Sequence, residues 1–266
     1  DDDAAAVLAC LVFGVHTVEQ WATWLFWSHL VLALPLLWLM LRMGTPVWRI
    51  VREEIPIGAL FSTQFISKAV RANTDLLVLS MIATPEIVGS YGVARRMLDS
   101  SYMAVEALNR LIYPGSARLL VHGFHAARGR VMKVLLANLA IGVFAAVAVF
   151  AFSPLMPMLF GHDYVSMVGF TQALCWVVIP LAATATALEA FGAAGKQGVR
   201  AIIFNVANVG SAGLVALFTL AAGVAGAFGS YYVVETATAI VSWIVLLRFM
   251  EADRLRYGDA SLPAAT

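Results

Sequence analysis

Ionisable residues interrupt two apolar stretches of the chain at the depth where a membrane-spanning helix would meet lipid. The stretches are 55–81 and 87–113, and the turn Ala83-Thr84-Pro85-Glu86 joins them. Their charged residues are Lys68, Arg71, Asp75, Arg95, Arg96, Asp99, Glu106 and Arg110. Because an ionisable group in lipid is costly, such groups usually face a protein interior or a water-filled cavity. The pattern predicts a polar cavity, and we expect the function to lie there.

Helical spacing puts most of these charges on one face of each predicted helix. Residues three and four positions apart share a helix face. The two faces are Gln64, Lys68, Arg71 and Asp75 on the first helix, and Tyr91, Arg95, Asp99, Tyr102, Glu106, Asn109 and Tyr113 on the second. Arg110 lies at the edge of the second face and Arg96 at its margin, about 100° from Arg95.

Depth along the two helices predicts which charges could pair. At about 1.5 Å per residue from the connecting turn, Asp75 and Arg95 are similarly deep, and Arg71 and Asp99 form the next level. The predicted pairs are Asp75 with Arg95 or Arg96, and Asp99 with Arg71 or Lys68. The same charges could instead pair within one helix, because residues four positions apart are neighbours on its surface. Those pairs are Arg95 with Asp99 and Glu106 with Arg110.

Two interpretations of the charges follow. In one, the charges neutralise each other and hold the helices together. In the other, the surplus of five cations (Lys68, Arg71, Arg95, Arg96, Arg110) over three anions (Asp75, Asp99, Glu106) suits a cavity that receives an anion. The forked guanidinium of arginine matches phosphate oxygens. We favour the second interpretation and predict an anionic head group at Lys68, Arg71, Arg95 and Arg96, with Asp75, Asp99, Glu106 and Arg110 as cavity charge pairs.

A second polar group lies in the last two apolar stretches. Glu235 is near the middle of one, and Asn205 and Asn208 are on the other. Glu235 is a candidate proton site, or it hydrogen-bonds to one of the two asparagines. We favour polar contacts between helices for all three residues. The histidines show no metal-ligand spacing, so we predict no metal and no cofactor.

Composition indicates an all-α, polytopic helical membrane protein. The 266 residues are 61% hydrophobic and 12% charged, whereas soluble domains are about 25% charged. Several apolar runs reach about 20 residues, the length of a membrane span. The predicted helices are 4–16, 21–43, 55–81, 87–113, 132–152, 164–191, 199–221 and 224–247, which makes eight, or seven if the first does not span. Pro114-Gly115 is predicted to end the fourth, and Pro180 to bend the sixth.

Basic residues predict the orientation of these helices. Among the connections, lysine and arginine occur in 44–54, 114–131 and 192–198 and after the last helix, whereas the connections that alternate with these contain neither. The positive-inside rule therefore places those connections and both termini in the cytoplasm. The predicted divisions are 1–43, the end of a first membrane lobe; 44–54, a cytoplasmic linker; 55–248, a second, six-helix lobe; and 249–266, a disordered cytoplasmic tail.

Enzyme signatures are absent from the sequence. It contains no G-x-S-x-G, P-loop, C-x-x-C or H-E-x-x-H motif. We therefore expect no enzymatic activity. The connections on the external side are also short, which argues against a membrane enzyme acting on lipid-linked sugars.

Several motifs resemble those of the polysaccharide flippases, the O-antigen or lipopolysaccharide export proteins. The superfamily of these flippases also includes the multidrug and toxin extrusion transporters. The motifs are Thr74-Asp75-Leu76-Leu77-Val78-Leu79 followed by Val88-Gly89-Ser90-Tyr91-Gly92-Val93-Ala94; Tyr113-Pro114-Gly115-Ser116; the run from Leu155 to Tyr164; and Ala193-Ala194-Gly195-Lys196 followed by Asn205, Asn208 and Gly226. These motifs, in this order, extend over roughly three quarters of the chain.

The resemblance implies a function in cell-surface polysaccharide biosynthesis. A flippase moves an undecaprenyl-pyrophosphate-linked oligosaccharide across the cytoplasmic membrane by alternating access between two lobes. The resemblance also implies that 55–248 is the second lobe and that a first lobe is its partner. We expect no nucleic acid to be bound. The alternatives are an ion-coupled multidrug-type exporter of the same superfamily and an inactive truncated remnant.

Overall fold

The computed structural model describes residues 17–44, 52, 54–120, 124–160 and 166–257. The predicted helix 4–16, most of the predicted linker and the last nine residues lie outside these ranges. The helices are α1 (Val18–Met43), α2 (Glu54–Ile82), α3 (Pro85–Leu120), α4 (Phe124–Phe152), α5 (Met156–Phe160), α6 (Ser166–Leu174), α7 (Val178–Ala193) and α8 (Gln197–Tyr257). No strand occurs in the described ranges, so the all-α prediction is confirmed.

The chain divides into two compact units. The first contains α1, whose N-terminus is capped by Thr17: its hydroxyl oxygen accepts a hydrogen bond from the backbone N–H of Gln20 at 3.3 Å. The second unit begins at Pro56 and contains the rest of α2 and all later helices. The charged residues of α2 and α3 therefore lie in one unit.

Within the described ranges, four helical stretches are long and apolar enough to cross a membrane. They are Ala22–Met43, Ala127–Met158, Ser166–Ala193 and Gln197–Leu255. An all-α chain with such stretches is a membrane protein. The helices that carry the charges, α2 and α3, are not among the four. At 29 and 36 residues, they are nevertheless longer than the roughly 20 residues that span a bilayer.

The longest helix of the structure, α8, is a helical hairpin. Its backbone leaves the helical region at Ala222 (φ −137°, ψ 16°) and Gly223 (φ 59°, ψ −138°). Positive φ is unstrained only for glycine, which explains Gly223 at this position. The first arm of α8 is 197–221 and the second arm is 224–257. The turn predicted near Gly223 is confirmed.

Two prolines have different effects on their helices. The predicted bend at Pro180 is confirmed, because the 3-10 turn Cys175–Val177 separates α6 from α7. Pro180 has no N–H for the carbonyl of Trp176, which lies within that turn. The prediction that Pro114 ends its helix is wrong, since α3 continues to Leu120. Helices packed in membrane proteins tolerate proline because neighbouring groups replace the lost contacts. Here the guanidinium of Arg130 packs over Gly115.

The prediction of a disordered tail from residue 249 is wrong for the residues that the structure describes, because α8 continues to Tyr257. Met250 is buried in a cluster with Phe124, Phe191 and Leu246. One turn further, a carboxylate oxygen of Asp253 accepts a hydrogen bond from the backbone N–H of Phe124 at 2.8 Å. The end of α8 thereby satisfies an otherwise unpaired N–H at the start of α4.

The variant Asp253→Ala is expected to lower the free energy of unfolding by about 1 kcal/mol, the usual cost of losing a side chain that caps a helix. Chemical unfolding of the purified protein in detergent measures the change. The control is Glu251→Ala, whose carboxylate is exposed and 3.7 Å from Arg254. Equal stability of the two variants would show that the contact to α4 contributes nothing.

Candidate functional site: a polar cavity among α2, α3, α7 and α8

A buried cluster around Asp75 joins α2, α3 and the second arm of α8. Its carboxylate is fully buried and accepts hydrogen bonds from the hydroxyls of Tyr91 at 2.8 Å and Tyr231 at 3.0 Å. Arg95 Nη1 donates to both carboxylate oxygens, at 2.7 and 2.9 Å, and to the carbonyl of Ala72 at 2.7 Å. The pair of Asp75 with Arg95, predicted from depth, is therefore present.

A second ion pair joins Arg71 of α2 to Glu235 of the second arm of α8. Glu235 is 2% exposed and Arg71 is 20% exposed. Arg71 Nη1 also donates to the side-chain oxygen of Asn208 at 3.3 Å. Of the alternatives considered for Glu235, the hydrogen bond to Asn205 or Asn208 is not formed within the described ranges: the carboxylate contacts Arg71, which is a polar contact between helices.

Interhelical hydrogen bonds link α2 to the first arm of α8, as predicted for Asn205 and Asn208. Ser67 donates to the Asn205 side-chain oxygen at 2.7 Å and accepts from the Asn208 amide at 3.3 Å. The Asn205 amide donates to the Thr63 hydroxyl at 3.1 Å. These bonds hold α2 against α8, so that Arg71 faces Glu235.

Between these helices lies a cavity of about 400 Å³. Its ionisable lining residues are Lys68, Arg71, Arg95, Asp99, Tyr102, Glu106, Tyr231 and Glu235. An adjoining cavity of about 480 Å³ shares Lys68, Tyr102 and Glu106 with it and adds Arg110, Glu189 and Arg200. In the adjoining cavity, Arg200 pairs with Glu189 at 3.0 Å. The two cavities form a polar interior in a protein whose outer helix faces are apolar.

Not every predicted site residue faces this interior. Lys68, Arg71, Arg95, Asp99 and Glu106 line the first cavity, and Arg110 lines the adjoining one. Asp75 lies behind Arg95 and is fully buried. Arg96 is exposed and lines neither of these two cavities, so the structure does not bring it to the other predicted binding residues. Its position one residue beyond Arg95 turns it about 100° away.

The remaining predicted pairs have mixed outcomes. Glu106 and Arg110 approach to 3.7 Å at mainly exposed positions, as their spacing of four predicts. The salt bridges of the described residues include none from Asp99 to Arg71, Lys68 or Arg95. Arg71 and Arg95 instead contact the two fully buried carboxylates. Leaving a buried carboxylate without a partner costs more free energy than leaving an exposed carboxylate such as that of Asp99.

The charge count around the cavities differs from the predicted one. The cations are Lys68, Arg71, Arg95, Arg110 and Arg200, and the anions are Asp75, Asp99, Glu106, Glu189 and Glu235, five of each. The surplus of cations counted within the two predicted helices is therefore balanced around the cavities by carboxylates of α7 and α8. Both initial interpretations of the charges retain support, because the charges pair across helices and still line an open cavity.

Arg95 retains hydrogen-bonding capacity that its partners do not use. Its hydrogen bonds to the described residues all come from Nη1. The donors Nε and Nη2 are the fork that can bind two oxygens of a phosphate or carboxylate. Nearby Lys68 also makes no hydrogen bond or salt bridge to a described residue, and it lines both cavities.

Tyr231 was missed by the sequence reasoning. Its ring centroid lies 5.8 Å from the guanidinium carbon of Arg71 and 5.6 Å from that of Arg95. An aromatic ring at this distance attracts a cation. Tyr231 therefore holds both arginines at the cavity wall while its hydroxyl binds Asp75. Its spacing of four from Glu235 was the available signal, since it places both side chains on one face of α8.

The arrangement is suited to binding a polar or anionic group. In the part of the chain that the structure describes, no three His, Cys, Asp or Glu residues converge as a metal site would require. Two arginines and a lysine instead line an open, polar cavity between long helices. Comparison with protein-family models, curated proteins and solved structures finds no match to this chain.

Proposed function

We propose that the chain is a membrane transport protein that moves a lipid-linked oligosaccharide with a diphosphate head group across the cytoplasmic membrane. The observation that carries this proposal is the unused Nε and Nη2 of Arg95 in a cavity that Lys68 and Arg71 also line. A diphosphate offers several anionic oxygens to such a fork and to the neighbouring ammonium group.

The position of the cavity supports a lipid-linked substrate. Ionisable residues line the cavity, whereas the same helices expose large apolar residues outside it, such as Phe65, Leu77 and Leu111. A head group could bind in the cavity while its apolar chain stays in the bilayer. Transport would then follow alternating access, with a second lobe facing the cavity. In this proposal the basic connections and both termini lie in the cytoplasm.

The balanced charges favour a second candidate, an ion-coupled exporter. Five cations and five anions leave no net positive charge around the cavities. Buried carboxylates within membrane proteins often bind the coupling ion of a transporter. A substrate without negative charge would fit this candidate, so the charge preference of transport separates the two functions.

The test is rescue of surface polysaccharide in cells that lack their own lipid-linked oligosaccharide flippase. Arg95→Lys keeps a positive charge for Asp75 but removes the fork, and Lys68→Ala removes the second cation. Each is expected to lower rescue about tenfold, because a hydrogen bond to a charged group is worth about 1.5–3 kcal/mol. Surface polysaccharide is measured relative to the amount of protein in the membrane.

Lys133→Ala is the matched control. Lys133 is an exposed cation on α4, outside both cavities, and its loss is expected to leave rescue unchanged. Full rescue by Arg95→Lys and Lys68→Ala would contradict binding of an anionic head group. Failure of the unmodified chain to rescue, with efflux of uncharged or cationic compounds, would favour the exporter.

A further inference from the structure

The two buried carboxylates of the cavity wall differ in how they are held. Asp75 accepts hydrogen bonds from Tyr91, Tyr231 and Arg95, so its charge has three partners. Glu235 is 2% exposed, and its contact among the described residues is with Arg71 alone. A buried carboxylate with several donors keeps partners when one of them moves, whereas a buried carboxylate with a single partner depends on that partner.

The single partner of Glu235 also lines the cavity. Arg71 donates to Asn208 through Nη1 and contacts Glu235 through Nη2. It is 20% exposed, and the exposed part is open to a ligand in the cavity. An anion at Arg71 therefore competes with Glu235 for the same guanidinium.

Other ionisable groups surround this pair on α2, α3 and the second arm of α8. They are Lys68 on α2; Arg95, Asp99, Tyr102 and Glu106 on α3; and Tyr231 on the same arm of α8, with Asp75 of α2 buried behind Arg95. The first arm of α8 contributes the neutral Asn208, and α7 contributes the neutral Thr184. Of the two cations nearest to the Tyr231 ring, Arg95 contacts Asp75 through Nη1, and Arg71 contacts Glu235.

We propose that Glu235 is a proton-binding site coupled to the anion site at Arg71. When an anionic oxygen binds Arg71, the contact of Arg71 Nη2 with the Glu235 carboxylate breaks. A proton from water then binds a carboxylate oxygen of Glu235, and Nη2 donates to the anion. No electron is transferred, and one negative charge beside Arg71 replaces another. This inference rests on the proposed function, because it assumes that the cavity receives an anion.

The physical reason is the cost of a second negative charge in a buried place. An ionised Glu235 without Arg71 would be a buried charge lacking a partner, which is strongly unfavourable. It would also repel the bound anion at short range in a medium of low dielectric constant. Proton uptake removes both costs, so the anion and the proton bind together.

The experiment measures sulfate binding to the full chain in lipid nanodiscs from about pH 5.5 to about pH 8.5, a range in which perturbed carboxyl groups titrate. Sulfate stays doubly charged throughout. If binding takes up a proton, the Kd of the unmodified chain rises with pH by up to about tenfold per unit. In Glu235→Gln the Kd should be lower and independent of pH, because the neutral amide mimics the protonated acid.

Glu251→Gln is the matched control, since Glu251 lies on the same helix in an exposed pair with Arg254, and it should keep the slope of the unmodified chain. A slope in Glu235→Gln equal to that of the unmodified chain would overturn the proposal. Proton uptake is also counted on the unmodified chain alone, by calorimetry in buffers of different ionisation enthalpy. We expect up to about one proton per sulfate.

The outcomes separate the inference from the proposed function. Sulfate binding without proton uptake overturns the coupling and leaves the anion site in place. If sulfate does not bind at any pH and the flippase-deficient cells are not rescued, both the anion site and the coupling are wrong. If sulfate binds with proton uptake but rescue fails, the coupled site stands and the lipid-linked substrate is wrong.

Discussion

Asp75→Ala is expected to lower the free energy of unfolding by about 3–5 kcal/mol, the usual cost of removing one partner of a buried ion pair. The substitution leaves Arg95, which is 13% exposed, without its carboxylate. It also leaves the hydroxyls of Tyr91 and Tyr231 without their acceptor. Chemical unfolding of the purified protein in detergent micelles measures the loss.

Two further variants isolate the cause. Asp99→Ala removes an aspartate that lies one level further than Asp75 from the turn between α2 and α3. Asp99 is exposed and has no salt bridge to a described residue. The free energy of unfolding should therefore change by no more than about 0.5 kcal/mol. The double variant Asp75→Leu with Arg95→Leu should recover most of the stability, since apolar replacement of a buried pair is often neutral. A loss below about 1 kcal/mol in Asp75→Ala would contradict the buried cluster.

Gly226→Ala is expected to have a comparable effect through backbone packing, with a loss of about 3 kcal/mol, at the upper end of the cost of overpacking. A Cβ at Gly226 would lie 1.8 Å from the carbonyl oxygen and 2.5 Å from the carbonyl carbon of Phe218. Both atoms are backbone, so no side-chain rotation can relieve the contact. The arms of α8 would have to separate beside the turn at Gly223.

Gly229→Ala is the matched control for this variant. It lies one turn later on the same arm, and an added Cβ there meets nothing within 4 Å. Replacing glycine by alanine inside a helix should stabilise it by about 0.5–1 kcal/mol. Thermal unfolding in detergent should therefore shift in opposite directions for the two variants. A neutral Gly226→Ala would show that the arms do not approach as closely as the structure has them.

The close approach at Gly226 also affects the site. Tyr231 and Glu235 follow on the same arm, five and nine residues later. Their distances to Asp75 and Arg71 depend on how closely this arm packs against its neighbours. We therefore expect Gly226→Ala to weaken sulfate binding as well as stability, although the residue contacts no ligand.

Local patterns in the sequence account for much of the fold. The apolar runs predicted most helices, because a membrane span needs about 20 consecutive apolar residues. Gly223 and Pro180 predicted a turn and a bend, because both residues restrict the backbone directly. Pro114 and the polar tail failed as signals, because contacts with another element accompany the helix at both positions: Arg130 of α4 lies beside Gly115, and Asp253 of the tail accepts a hydrogen bond from the start of α4.

The sequence by itself determined the all-α architecture, the two faces of charge on α2 and α3, and the level at which Asp75 meets Arg95. These features depend on helical rise and rotation, which are the same in every α-helix. The tertiary structure alone decided that Arg71 pairs with Glu235, that Tyr231 lies between two arginines and that Arg96 is outside the cavity. Those outcomes depend on how each helix is rotated towards its neighbours. Packing between residues more than 100 positions apart sets that rotation, and no local pattern records it.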